Sequence, residues 1–472
     1  MIGKPVSKRL TLLASLLFAL AAIFSSTALS SGNEHGSGQH GGDGHGGGHG
    51  GGGLSLTPFS RVARIGPIHD PIEADALAKE VATAIATYVA TVDDTVPPEE
   101  GGTGFPANWI LGGLEGDPTE DAIEEAILRV PTPYVIDPYE PMSASNRKKV
   151  NIVEMCNPLF AKKALGVLPV VDDDPTTKIV NGYIHAPALP CEVAIYAEGR
   201  FVKVDMLNPE AIFTLFFTDV LFGEQMLDPD FAAAVQELPV VVNGEIQTII
   251  NLALETNEID YRPQSRPLGP KYRSLEDIVE VVEETPFESP YAHFVYQKQD
   301  NTDFSAEEVG AVAAAIIDTL SLDGTHDPEL DDLLNIDDWR SARPAPLPVP
   351  GNLVIEACSP TNAIAAMGLG MEHATALPCE IAIKALNKDG VDGNEILMIT
   401  YLDPHFMFGA LFNDAFDDLS KKELKELLEL PTLVFEDLQT IVEYALYDTD
   451  LTDPEQVFYD MLPAEDDEEE DD

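Results

Sequence analysis

Two stretches, 74–90 and 305–320, are rich in alanine and return Val, Ile and Leu at three- and four-residue intervals, the spacing of an amphipathic helix. Ile152–Cys156 and Leu353–Cys358 are short apolar runs of strand length. Each is followed by a polar residue and a proline, Asn157-Pro158 or Ser359-Pro360, which predicts a capped helix with proline in its first turn. Segments 192–197 and 201–206 read as two short strands around Gly199, and 380–386 and 395–401 as the same pair around the longer turn Asn387 to Asn394. Asn208-Pro209 and Asp403-Pro404 then open another capped helix. Each half therefore predicts helix, strand, helix, two strands and helices. The fold class is α+β, with two homologous domains, each a small antiparallel sheet covered by helices.

The halves are copies at the level of residues too. Ile-Val-Glu-Met-Cys-Asn-Pro at 152–158 matches Val-Ile-Glu-Ala-Cys-Ser-Pro at 354–360, and HAPALPCE at 185–192 matches HATALPCE at 373–380. Leu207-Asn208-Pro209 matches Leu402-Asp403-Pro404, with Phe213 matching Phe408, and residues 235–254 align without a gap on 427–446. Four matches in one order mark a tandem duplication. The copies differ in their insertions: Cys156 to Cys191 spans 35 positions, Cys358 to Cys379 only 21. The extra residues around 171–181 are polar and Asp-rich, a surface loop. A further insertion between Val92 and Arg147 is rich in Pro, Gly and acids.

Outside the repeats the pattern changes. Lys4, Lys8 and Arg9 precede an apolar run from Leu10 to Phe24 and the small residues Ser26, Thr27 and Ala28, the layout of a secretory signal peptide, 1–28. Residues 29–57 form a Gly/His-rich disordered tether in which His35, His40, His45 and His49 offer neutral imidazoles. The tether is a spacer or a metal-capturing segment for Cu, Ni or Zn. The repeat domains are placed at 58–255 and 285–450, joined by a linker at 256–284 where Pro263, Pro267 and Pro270 argue against regular structure. Residues 451–472 form an acidic disordered tail.

Composition narrows the partners. The 472 residues carry 27 Lys and Arg against 82 Asp and Glu, a net charge of −55, and that charge repels nucleic-acid phosphates and anionic lipid. With 44% hydrophobic residues the acidity does not signal a disordered chain. The expectation is an exported protein, periplasmic or extracellular, with no nucleic-acid partner and no membrane insertion after signal removal. Its partners would be a metal ion or a basic envelope protein.

All 4 cysteines lie in the repeat motifs. Cys156 and Cys191 belong to the first unit, Cys358 and Cys379 to the second, and a histidine, His185 or His373, lies six residues upstream of each second cysteine. Glu154 and Glu356 precede the first cysteines by two, a spacing that shares one face of a strand. Cys156, His185, Cys191 and Glu154, with Cys358, His373, Cys379 and Glu356, form two possible ligand sets suited in donor type to copper or zinc. A haem-type group is a further expectation. Export and an even cysteine count favour one disulfide per unit instead, and buried unreactive thiols are a third reading. The spacing holds no Cys-x-x-Cys-His, nucleophile elbow, phosphate loop or dinucleotide fingerprint, so no catalytic residue is assigned.

Glu-x-Cys-(Asn/Ser)-Pro before a short helix, Leu-Pro-Cys opening a strand, and Leu-(Asn/Asp)-Pro after the strand pair together resemble the family catalogued as domain of unknown function 302, over roughly 58–255 and 290–448. The resemblance implies a compact α+β domain and carries no reaction; similar members occur in bacterial envelope and in sulfur or redox settings. The function expected is an exported tandem-domain binding protein, non-enzymatic, taking a metal ion or redox group at each Cys/His motif. The alternatives are a thiol-based redox enzyme or sulfur carrier, and a structural extracellular protein with disulfide-stapled domains.

Overall fold

The computed structural model describes residues 57–92, 108–114, 117–137, 139–141, 143, 146–166, 183–189, 191–217, 220, 229–271, 290–298, 302–320, 339–341, 352–377, 379–387, 393–412, 419–447 and 455–456. The leader, nearly all of the tether, the 171–181 loop and the last acidic residues lie outside them.

The first unit starts with β1 (Phe59–Ile65) and α1 (Pro71–Thr91), whose first turn is capped by the Asp70 carboxylate accepting from the Ile72 amide. After β2 (Ile110–Leu111), α2 (Glu120–Glu125) and β3 (Leu128–Val135) comes β4 (Arg147–Cys156). It runs into α3 (Pro158–Ala164), and Asn157 caps that helix by accepting from the Leu159 and Phe160 amides. A 3-10 turn (Tyr183–Ala188) leads to β5 (Cys191–Glu198), β6 (Phe201–Leu207), α4 (Pro209–Phe216), α5 (Pro229–Thr256) and β7 (Tyr261–Leu268). The antiparallel sheet is ordered β2-β4-β5-β6-β1-β7, with β3 also pairing β4.

The second unit repeats the plan with β8 (Tyr291–Gln297), α6 (Ala306–Leu320), β9 (Arg340–Ser341), β10 (Leu353–Cys358) and α7 (Pro360–Leu369). A second 3-10 turn (Met371–Ala376) follows, then β11 (Cys379–Leu386), β12 (Ile396–Leu402), α8 (Pro404–Leu411), α9 (Lys421–Tyr447) and β13 (Glu455–Gln456). Its sheet order is β13-β8-β12-β11-β10-β9. The α+β class with helix-covered antiparallel sheets is therefore what the chain folds into. Among the described residues, no helix is long and apolar enough to cross a membrane.

Three expectations need correction. An unread strand opens each unit, β1 and β8, pairing β6 and β12 respectively. The expected 256–284 linker begins inside the first unit: α5 ends at Thr256, and β7 pairs β1 despite Pro263 and Pro267. These prolines are tolerated because β7 is the edge strand, where one side needs no ladder donors. The expected disordered tail contains Glu455–Gln456, whose backbone pairs with Gln297 and Tyr296.

One face of each sheet packs on its own helices. Val193 and Ile195 of β5 join Val81, Ile85, Ile249 and Ile250 of α1 and α5 in one core. Alternation then sends Glu192, Ala194 and Tyr196 to the opposite face. That face would be half apolar in water; instead, Ala194, Tyr196, Val150 and Ile152 pack with Ala363, Met367, Met371 and Ala374 of the second unit. The cover is reciprocal. The second 3-10 turn lies on β5 and β6, while the first lies on β11 and β12. His373 packs at a tilt against Phe412 and reaches Phe59 of the first unit, at ring separations of 4.2 and 5.5 Å; His185 stacks against Phe217 and reaches Tyr291 of the second, at 4.2 and 5.4 Å. Tyr291 Oη also donates to the Phe216 carbonyl at 2.8 Å.

This cross-covering makes the units one cooperative body. Trp109 and Trp339, one per unit, report on each separately. In Trp109→Phe and Trp339→Phe variants, urea transitions followed by the remaining tryptophan are expected to coincide with those followed by far-ultraviolet circular dichroism. Separate midpoints in either variant would show that the units unfold alone.

Candidate functional site

The repeated motifs build one pocket twice. In the first unit, Cys156 is the last residue of β4 and Cys191 the first of β5, adjacent strands on which Cys191 is registered opposite Met155. The two cysteines therefore enter from neighbouring strand ends. Ile110 pairs with Cys156, which places Trp109 at the same end. Asn157 turns the chain into α3, whose Phe160, Ala161 and Ala164 form a wall, while Phe213 of α4 and Val242 of α5 complete it.

The second unit repeats these positions with Cys358, Cys379, Trp339, Ser359, Asn362, Ala363, Ala366, Phe408 and Val434. The cavities measure about 20 Å³ in the first unit and about 40 Å³ in the second. A side-chain difference accompanies the difference in size: Phe160 stands in the first pocket where the shorter Asn362 stands in the second, and Phe160 is edge-on to Trp109 at 6.2 Å.

Each tryptophan is held the same way. Trp109 Nε1 donates to Glu245 of α5 and Trp339 Nε1 to Asp437 of α9, both at 2.6 Å. Sequence reasoning missed this pair. The available signal was the composition, with only 2 tryptophans in the chain, one ahead of each first cysteine.

All four cysteines are free thiols in the structure. Burial pushes the Cys191 thiol up to about 12, with the nearby Glu154 charge adding to the effect. Cys156 and Cys379 rise for the same first reason, followed by the neighbouring thiol Cys191 and by Glu380 respectively. These are protonated thiols in an apolar pocket, the reverse of the electropositive setting that makes a cysteine nucleophilic.

The other expected ligands do not complete a metal site with the cysteines. His185 and His373 are buried in aromatic contacts at the junction of the units. Burial lowers the His373 imidazole to about 4, so it is neutral, and its Nδ1 lies 3.1 Å from the Ala366 carbonyl and donates to it. Glu154 and Glu356 share the inter-unit face of their sheets, each paired in register with another glutamate, Glu192 and Glu380. The Glu154 carboxylate lies against Gly112, where an added Cβ would approach its Cδ to 2.8 Å. Among the described residues, no three of His, Cys, Asp and Glu converge to hold a metal ion. The structure thus brings the two cysteines of each expected set together at one pocket, and among the described residues no His or Glu joins them to make a group of three that could hold a metal ion. His40, His45, His49 and His35 fall outside the described residues.

Fit to the expected groups follows from this geometry. A haem does not fit the described walls, because pockets for ligands of drug size run to roughly 300–1,000 Å³ and these are far smaller. Copper or zinc finds two sulfur donors per pocket. Glu192 and Glu380, the final letters of the repeated HAPALPCE and HATALPCE, were not singled out in sequence although both are buried. No family model, curated protein or solved structure matches the chain.

Thiol chemistry checks the pocket directly. Native protein at neutral pH is expected to react slowly with an aromatic disulfide reagent, and denatured, unreduced protein to release four thiols per chain, matching the free cysteines. A denatured count of zero would establish one disulfide per unit instead.

Proposed function

We propose that this chain is an exported tandem-domain binding protein, a divergent pair of domain-of-unknown-function-302 type units, in which each cysteine pair takes one soft cation of the Cu(I) class. The observation that carries the reading is the duplicated pocket: two thiols, a held tryptophan and apolar walls recur at matched positions in both units. Thiolates prefer Cu(I) over harder ions. Cu(I) also accepts linear ligation by two sulfurs, whereas structural zinc requires four ligands. Two converging donors therefore favour copper over zinc.

The protonated state of the thiols supports binding over catalysis. A buried thiol with a raised pKa is a poor attacking group, which weighs against the thiol redox enzyme and sulfur carrier. Metal binding must displace the two thiol protons, so affinity rises with pH. The first unit's carboxylates and the tether are not required for this step.

Competition with a chromogenic Cu(I) chelator under anaerobic conditions tests the proposal. The mature chain is expected to take one ion per cysteine pair, with affinity rising up to about 100-fold per pH unit below the thiol pKa because two protons leave. Cys191→Ser and Cys379→Ser should each remove one equivalent without removing the other. Full stoichiometry in the double variant would place any copper elsewhere, for instance on the histidine tether.

A further inference from the structure

The two cysteine pockets allow a comparison within one chain. Every residue lining the first cavity has a counterpart lining the second, and all but two of these pairs are identical in type. One unlike pair does the same work in both units: Asn157 and Ser359 cap α3 and α7, their side chains accepting from backbone amides of the first turn. The other pair does not. Phe160 and Asn362 hold the same position, four residues after the first cysteine, and bring an aromatic ring to one pocket and a short amide to the other. Cys156 and Cys358 are each 3% exposed, and Trp109 and Trp339 each 5%. The pockets are thus equally screened from solvent at these residues and differ in what fills them.

The cavity volumes give the difference a chemical meaning. A cavity needs roughly 10–15 Å³ to hold one water-sized body. The first pocket, at about 20 Å³, has room for a single ion beside its thiols, with the Phe160 ring set edge-on to Trp109. The second, at about 40 Å³, has room for an ion and one further small ligand. Asn362 also carries both N–H donors and an acceptor oxygen, so it can hold a polar guest where Phe160 offers only ring carbons. We infer that Phe160 and Asn362 divide the work of the two units: the first pocket retains its ion, while the second leaves its ion open to a small third ligand and is where ions enter and leave. This rests on the reading of the cysteine pairs as Cu(I) sites.

The chemistry of exchange explains why space matters. Addition precedes loss: the donor atom of the incoming ligand bonds to Cu(I), one bond from copper to a cysteine sulfur breaks, and the released thiolate takes a proton from solvent. Copper stays in the same oxidation state, so no oxidant or reductant is needed. A filled pocket must expand before the new bond forms, and inserting an atom into packed surroundings is unfavourable. The second cavity also reaches Ala357 and Met407, where the first unit has Met155 and Ile212. Exchanging only Phe160 and Asn362 separates their contribution from that of these neighbours.

Release of Cu(I) from the loaded full chain to an excess of chromogenic chelator, without oxygen, tests the inference. Wild type is expected to lose its two ions in two phases of equal amplitude whose rates differ by about 10-fold or more. Cys191→Ser should keep the fast phase and Cys379→Ser the slow one. Cyanide, a ligand of two heavy atoms, supplies a second readout: one equivalent is expected to give an infrared band of copper-bound cyanide in Cys191→Ser and none in Cys379→Ser. Phe160→Asn should make both phases fast, and Asn362→Phe should make both slow. Where either fails to fold, a chain with leucine substituted at both positions is expected to merge the two phases into one. A single phase in wild type, a fast phase that belongs to the first unit, or phases unmoved by the wall substitutions overturns the inference. Two ions bound per chain with identical release would overturn it alone, whereas a chain that binds no copper would overturn the Cu(I) reading with it.

Discussion

A sheet with helices on one side only leaves its second face to water, and in this chain that face carries Ile152, Ala194 and Tyr196 in the first unit. Everything else in the arrangement depends on how that face is covered. Duplication supplies the cover: α7 and the second 3-10 turn close the first sheet, and the first 3-10 turn closes the second. The aromatic contacts of His185 and His373 fix the mutual position, because each imidazole packs against its own unit's phenylalanine and touches the partner unit's first strand. Burial of this apolar surface is worth roughly 25 cal/mol per Å², and neither unit obtains it alone.

The same covering explains why the duplicated motifs sit where they do within the fold. The octapeptide ending in Pro-Cys-Glu performs two tasks on opposite faces of one strand. Its cysteine enters the helix-side pocket, and its glutamate enters the inter-unit cavity. Adjacent residues of β5, Cys191 and Glu192, thus line the cysteine pocket and the inter-unit cavity. The acidic insertion of the first unit also takes part: β3 lies within it and packs against α7 of the second unit.

Much of this was legible in the residues. The Asn-Pro, Ser-Pro and Asp-Pro steps announced capped helices because a side-chain oxygen and a proline suit the first turn, and those caps form at Asn157, Ser359, Asn208 and Asp403. The central strands were readable from apolar runs next to duplicated motifs. β1 and β8 were not, since their sequences, FSRVARI and YAHFVYQ, mix polar and apolar residues without clean alternation. β7 was hidden by prolines that an edge strand tolerates. The cysteine pairing in space could be guessed from repetition, but the packing of the histidines against aromatic rings at the junction could not. Spacing alone did not reveal that the 3-10 turns cross to the other unit.

The central claim is that two copies of one domain form a single body by covering each other's sheets. Native-state hydrogen exchange of the full chain addresses it most directly, through the central strand amides of β5 and β11, which lie in different sheets. The account predicts that both sets exchange only through global unfolding, with the same free energy and the same denaturant dependence. Protection of β11 that collapses at lower denaturant while β5 stays protected, or the reverse, would contradict it.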